Sequence, residues 1–417
     1  MELVLFILEE MGRVLGDNLT SPSFLLIYLL LFGLVTWQYQ RLQKMSEFLL
    51  QGRKNLYLRS ALVSTTFGII GGILGSILLV FLGIDLAGIG ISQLWLVAIV
   101  LMLIQPRFLC FAYGAGLLSI SNLLFAYPDI SIPQLMGLVA VLHLVESLLI
   151  LANGSYRPFP VYIKKNGQLR GGFNLQSFWP IPLVALLGVG VIDPLGGISM
   201  PDWWPLLRDS ARFTEGQTYA LLPVMAVLGY GEISTTQTPY QTTRKSSLHL
   251  FIFSLVLLAL SVLASRWVLF LPIAAIFSPL GHELVIWLGM RAENRTPIYV
   301  PSERGIRVLD VLPGSPVNRA GLRSRDVILT LNGEITNHFS VLQELLNCGC
   351  QEMVLEIKRG KNIFKLPLHR SPDQDLGIIP VPENNAPRYL TISEDGIFST
   401  ALRIWRRIKS VHLLPPK

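Results

Sequence analysis

A run of apolar stretches, each close to the length of one membrane crossing, fills this chain up to about residue 290 and constrains its fold more than any other feature. A helix needs about 20 mostly apolar residues to cross the hydrocarbon layer. Stretches that meet this lie at 21–38, 61–82, 88–104, 108–126, 133–151, 179–198, 217–233, 248–264 and 268–290, which predicts a helical polytopic bundle of eight or nine spans over 21–290. Composition agrees, because 51% hydrophobic and only 15% charged residues over 417 positions exclude an ordinary soluble enzyme. Residues 1–20 open with an apolar segment that Glu9, Glu10 and Arg13 interrupt, so an amphipathic helix in the membrane interface is expected there. That opening has no basic leader followed by a small-residue cleavage site, and the first span is expected to stay in the mature protein.

Orientation follows from Lys and Arg in short loops. Arg41, Lys44, Arg53, Lys54 and Arg59 form one basic segment, Arg157, Lys164, Lys165 and Arg170 a second, and Arg244 with Lys245 a third; all three are expected on the cytoplasmic side. The turns near Asp85, Tyr127–Asp129 and Pro201–Trp204 carry little positive charge, and Trp203 and Trp204 suit an outer interfacial belt. The net charge of +7 lies beside apolar stretches or in the C-terminal third, which favours contact with membrane lipids and no nucleic acid. Cys110, Cys348 and Cys350 read as reduced thiols. Gly68, Gly71, Gly72 and Gly75 place small residues at helical spacing and predict the close approach of a second helix.

After Met290 the pattern changes. Residues 291–303 read as a linker, 304–382 as a soluble domain, and 383–417 as a basic tail. The tail puts Leu402, Trp405 and Ile408 on one helical face, suited either to an anionic leaflet or to docking on the rest of the protein. Residues 304–333 read RGIRVLDVLPGSPVNRAGLRSRDVILTLNG: a strand through Ile306, Val308 and Val311, a Gly-Ser-Pro turn, a short helix stopped by Gly321, a strand over 327–331 and an Asn332-Gly333 hairpin turn. Ser340 and Gln343 suit a capping box for a helix over 341–346, and 354–358 with 363–368 read as a further hairpin. This succession resembles a PDZ domain, which implies a small α/β unit, a sandwich or partial barrel with two short helices. The strand that usually opens such domains is absent before Gly305, and Asp375-Leu376-Gly377-Ile378-Ile379 takes its place at the other end, as in permuted bacterial PDZ domains, those of site-2 proteases included. The resemblance implies strand addition of a peptide beside Leu376, Gly377, Ile378 and Ile379, with Val341 and Leu345 across the groove. Asp373 and Asp375 would oppose a terminal carboxylate there, so an internal peptide fits better.

Ionisable residues inside apolar spans ask for a reason. His143 and Glu146 lie three apart, and His282 precedes Glu283. The second pair invites comparison with the HExxH zinc motif, but the residue four beyond His282 is Ile286, so the second ligand is missing. No catalytic residue, metal ligand or cofactor is assigned; a composite site of the four residues and ordinary hydrogen-bonded packing both stay open. The whole arrangement, with PRFLCFAYGAGLLS, LVAVLHLVESLLI and GGFNLQSFWPIPLV in the membrane half, is similar to the MinJ family of cell-division topological determinants. That resemblance implies a non-enzymatic scaffold at the septum and poles, with the PDZ domain cytoplasmic and DivIVA-like and MinD-like proteins as partners. The competing expectation is an intramembrane metalloprotease of the site-2 type, or an inactive relative of one.

Overall fold

The computed structural model describes residues 2–50, 56–165, 167–192, 199–208, 216–346, 351–371, 374–383 and 390–391. The membrane half begins with helices α1 (Glu2–Thr20), α2 (Pro22–Met45), the single turn α3 (Glu47–Leu50), α4 (Leu56–Leu82), α5 (Ile91–Ile104), α6 (Phe111–Phe125) and α7 (Ile132–Asn153). Three strands follow, β1 (Phe159–Lys165), β2 (Gln168–Gly190) and β3 (Thr218–Ser234), and then helices α8 (Pro239–Ala264) and α9 (Phe270–Ala292). Among the described residues five helices are long and apolar enough to cross a membrane: α2, the Tyr57–Leu82 part of α4, α7, α8 and α9. Helices α5 and α6 have 14 and 15 residues, roughly 21 Å each at 1.5 Å per residue, short of a hydrocarbon layer of about 30 Å.

Two expected spans are corrected. The stretches 179–198 and 217–233 are not helices; their described residues lie chiefly in β2 and β3, a long antiparallel hairpin in register from Phe173 opposite Ser234 to Gly188 opposite Tyr219, with a bulge before Gly190 meets Thr218. Pro180 and Pro182 forbid a regular helix there, and the apolar content reflects burial of the strand against α4. A strand among apolar helices must have its outer edge satisfied by protein. Phe178 N–H donates to Tyr39 Oη (3.4 Å), Val184 N–H to Ser76 Oγ (2.7 Å) and Gly188 N–H to Asp85 Oδ1 (2.9 Å). At the alternate positions 180 and 182 between them, proline has no N–H to satisfy.

The glycine row of α4 is therefore used differently from expectation. Gly71 faces the Val145 and Leu149 side chains of α7, but Gly68 and Gly72 face the main-chain carbonyls of Pro180 and Pro182, so on that side the close neighbour is a strand. Two smaller expectations also change. Arg244 and Lys245 lie within α8, which starts at a Thr238–Gln241 capping box, and not in a loop. Trp204 is buried and donates its indole N–H to Val80 O (2.9 Å), closing the end of α4, whereas Trp203 stays exposed. In α1, Ile7 and Met11 dock on Val80, Val184, Leu186 and Trp204.

The C-terminal unit contains β4 (Ile306–Val311), the single turn α10 (Pro316–Arg319), β5 (Val327–Leu331), β6 (Glu334–Ile335), α11 (Phe339–Leu346), β7 (Glu352–Arg359), β8 (Asn362–His369) and β9 (Ile378–Pro380). Their order is β8-β7-β5-β4-β9, with β6 on β5. Asn332 and Gly333, at φ of 52° and 88°, make the β5–β6 turn that the Asn-Gly pair predicts. Helix α11 starts at Phe339, earlier than the Ser340–Gln343 box implies, because the Glu383 carboxylate accepts the Phe339 N–H (3.1 Å). Asp326 is buried and holds Arg359 through two bonds of 2.8 and 2.6 Å, which ties β7 to the start of β5.

The connection over 291–303 is fastened. The Glu293 carboxylate accepts from Thr235 N–H (2.9 Å), Thr235 Oγ1 (2.7 Å) and Thr236 Oγ1 (3.0 Å), and Ile298 N–H donates to Thr235 O (3.0 Å). Gly171 N–H meets Tyr299 O at 2.9 Å, and β10 (Leu390–Thr391) adds to β1 as a parallel strand. Tyr299, Leu309, Leu312, Ile379 and Val381 share one continuous core with the helices. The predicted tail helix, Cys348, Cys350 and Asp373 lie outside the described residues.

Candidate functional site

The first candidate is the edge formed by β9 beside α11. Strand β9 ends the sheet, and its pairing among the described strands is with β4, Val311 opposite Ile378 and Asp310 opposite Ile379. Gly377 sits at φ 78° against Ser315 and Leu312, a position that an added Cβ would fill, so the turn into β9 requires glycine. Leu376 and Ile378 are fully buried in the core of the C-terminal unit, with Leu345 packed half-buried against them. Ile379 points the other way, into the core shared with the helices. Of the residues expected to line a groove, Val341 and Leu345 keep partial exposure, while Leu376, Gly377, Ile378 and Ile379 are buried, main chain included. At the end of the strand Tyr162 Oη donates to Pro380 O (2.9 Å), and just beyond it Glu383 holds the start of α11, which fixes one end of the edge.

The second candidate lies among the helices. The Pro106–Leu109 turn between α5 and α6 brings Cys110 to His143, near the midpoint of α7, and to His282, near the midpoint of α9. Cys110 Sγ lies 3.0 Å from His143 Nε2 and 3.5 Å from His282 Nε2, and the three ligand atoms fall within 4.8 Å of one another. His143 Nδ1 is 2.7 Å from Val139 O; a carbonyl can only accept, so Nδ1 carries the proton and Nε2 turns its lone pair toward the sulfur. His282 Nδ1 is buried and has no hydrogen-bond partner among the described residues. Phe253 of α8 sets its ring against both imidazoles, at 5.5 and 5.7 Å, and Tyr113 stands edge-on to His282 at 5.2 Å.

The four ionisable residues named from the sequence thus separate. His143 and His282 come together, with ring centroids 5.2 Å apart. Glu283 is held by Arg107 (3.1 Å) and by Tyr113 Oη (2.6 Å), and Glu146 lies half-buried one turn beyond His143. The participant that sequence reading missed is Cys110, read only as a reduced thiol, because its partners lie 33 and 172 residues away on other helices. A basic cavity of about 500 Å³ in the C-terminal unit, lined by Arg307, Arg323, Arg325, Lys358 and Arg359, was also not legible, since its residues are scattered along the chain.

Together these features define a class: a bundle of membrane-type helices and a long strand hairpin, with a small sheet-rich unit fastened at the end where Lys165 meets the close of α9. No protein-family model matches the chain. Over 231 residues it is 23% identical to the cell division topological determinant MinJ of Bacillus subtilis (strain 168), an alignment that covers 54% of this chain and 55% of that protein. The chain therefore spans about half the length of the curated relative it matches, and the similarity is distant.

Proposed function

We propose that the chain is a membrane-anchored, non-enzymatic adaptor in cell division, whose C-terminal unit is a permuted PDZ domain that recruits partners from the cytoplasm by strand addition at β9. The observation that carries this reading is a terminal strand, entered through a left-handed glycine at 377 and lying in one packed cluster with α11. Strand addition there would use the outer main-chain groups of β9, whose Ile378 and Ile379 are buried in this state and would have to be uncovered, and the half-buried Val341 and Leu345 would supply apolar contacts for the peptide's side chains. The similarity to MinJ supports placement at the division site, with DivIVA-like and MinD-like proteins as the partners to test first.

The test is a fluorescent fusion of the full chain in dividing cells, paired with a Val341→Asp/Leu345→Asp double variant. Septal enrichment of the parent, with the double variant still in the membrane but no longer co-purifying division proteins, is the expected result. Even distribution over the membrane would sink the division reading. Loss of function on His282→Ala or Glu283→Ala, with function kept after deletion of residues 304–382, would favour the protease reading instead.

A further inference from the structure

We infer that Cys110, His143 and His282 form a binding site for a thiophilic d10 metal ion, zinc(II) or copper(I), that clamps α6, α7 and α9 together. The three donors come from three separate elements and converge in a pocket otherwise lined by aromatic rings. A tetrahedral ion with a metal–sulfur bond of about 2.3 Å and metal–nitrogen bonds of about 2.0–2.1 Å sets its ligand atoms roughly 3.3–3.6 Å apart. Of the two sulfur–nitrogen separations, 3.5 Å falls within that range, and 3.0 Å is shorter, so an ion seated there would move the Cys110 sulfur and the His143 ring apart by about half an ångström.

One outer contact fits as well. Imidazoles that bind metal usually donate their other N–H to a carbonyl or carboxylate, and Val139 O does this for His143. Packing alone explains the cluster less well, because one thiol proton serves one ring only and leaves the other Nε2 without a donor. Nothing in an apolar pocket favours two imidazoles over leucines unless their lone pairs have a use.

Charge narrows the ion to this class. Binding as thiolate releases the Cys110 proton, and a thiolate with two neutral imidazoles makes copper(I) a neutral centre. Zinc(II) keeps one positive charge, which the Glu146 carboxylate, one turn from His143, is placed to offset. Hard ions such as magnesium and calcium prefer oxygen donors and are excluded by this ligand set.

The test uses the full chain, purified in detergent from cells grown with zinc and copper. Elemental analysis is expected to give close to one zinc or copper per chain, and X-ray absorption at the corresponding edge to show one sulfur and two imidazole nitrogens. Which edge carries the signal decides between the two ions. Cys110→Ser and His143→Asn should each lower the metal content at least tenfold. Chelator treatment should expose Cys110 to alkylation in a Cys348→Ser/Cys350→Ser background that reports this thiol alone. Less than about one-tenth of an equivalent in the well-folded parent, or an absorption spectrum with only oxygen neighbours, would overturn the inference without relying on any variant's folding.

Discussion

Asp310 shows how one residue can set a response to pH. It sits in β4 opposite Ile379, and burial pushes its carboxyl up to about 7 against a weaker lowering by the Val311 N–H. In the unfolded chain an aspartate titrates near about 3.9. Between those values the folded state holds a proton that the unfolded state has released, so the contribution of this group to folding stability is fully present at low pH and is lost as pH rises through about 7. Denaturant titrations of the full chain across pH 4 to 8, followed by a fluorophore on the C-terminal unit, should show a decline that Asp310→Asn removes. The same decline in the Asn variant would assign it to other groups.

At the scale of elements, the contact between α4 and β2 leaves no room for a side chain at two positions. An alanine at Gly72 would drive its methyl into the Pro182 carbonyl, which is main chain and cannot move aside. An alanine at Gly71 would meet only the Val145 and Leu149 methyls, at 3.0–3.3 Å. Gly72→Ala should therefore cost about 1–3 kcal/mol, and Gly71→Ala less than about 1 kcal/mol. Thermal unfolding of the detergent-solubilised chain checks the ranking, and equal midpoints would reject it. This contact also shows where sequence reading stopped. The glycine spacing announced a close neighbour, and the prolines at 180 and 182 were visible, but hydropathy windows count apolar residues and are blind to whether a buried segment is helix or strand. The strands of the C-terminal unit were more legible, because Asn332-Gly333, Pro313-Gly314-Ser315-Pro316 and the alternation of Ile306 with Val308 are local signals. The pairing of Cys110 with two histidines from distant helices is not local, and no spacing in the sequence encodes it.

For the whole molecule, replacing two expected helical spans by two strands leaves the direction of the chain unchanged. β2 runs beside α4 in the same sense, β3 returns, and Lys165 of the second basic segment bonds Glu293 O (3.1 Å) and Asn294 Oδ1 (3.0 Å) just beyond α9. The C-terminal unit thus stands at the end of the bundle that carries the basic segments. Single cysteines at Lys44 and Arg304, in a background without Cys110, Cys348 and Cys350, should escape an impermeant thiol reagent in intact cells, while one at the exposed Tyr127 should react. Labelling at Arg304 but not at Lys44 would break this shared placement.

The strand hairpin also bears on how the chain is made. A helix can enter the bilayer by itself, because it satisfies its own backbone, but β2 depends on Tyr39, Ser76, Asp85 and the opposite strand for its hydrogen bonds. All three side chains precede it in the sequence, whereas β3 follows it by some thirty residues. Synthesis from the N-terminus therefore readies one wall before β2 emerges and leaves the other lacking until residue 234 has been added, so the ribosome's order of delivery, as much as apolarity, governs when this half of the protein can leave the insertion machinery.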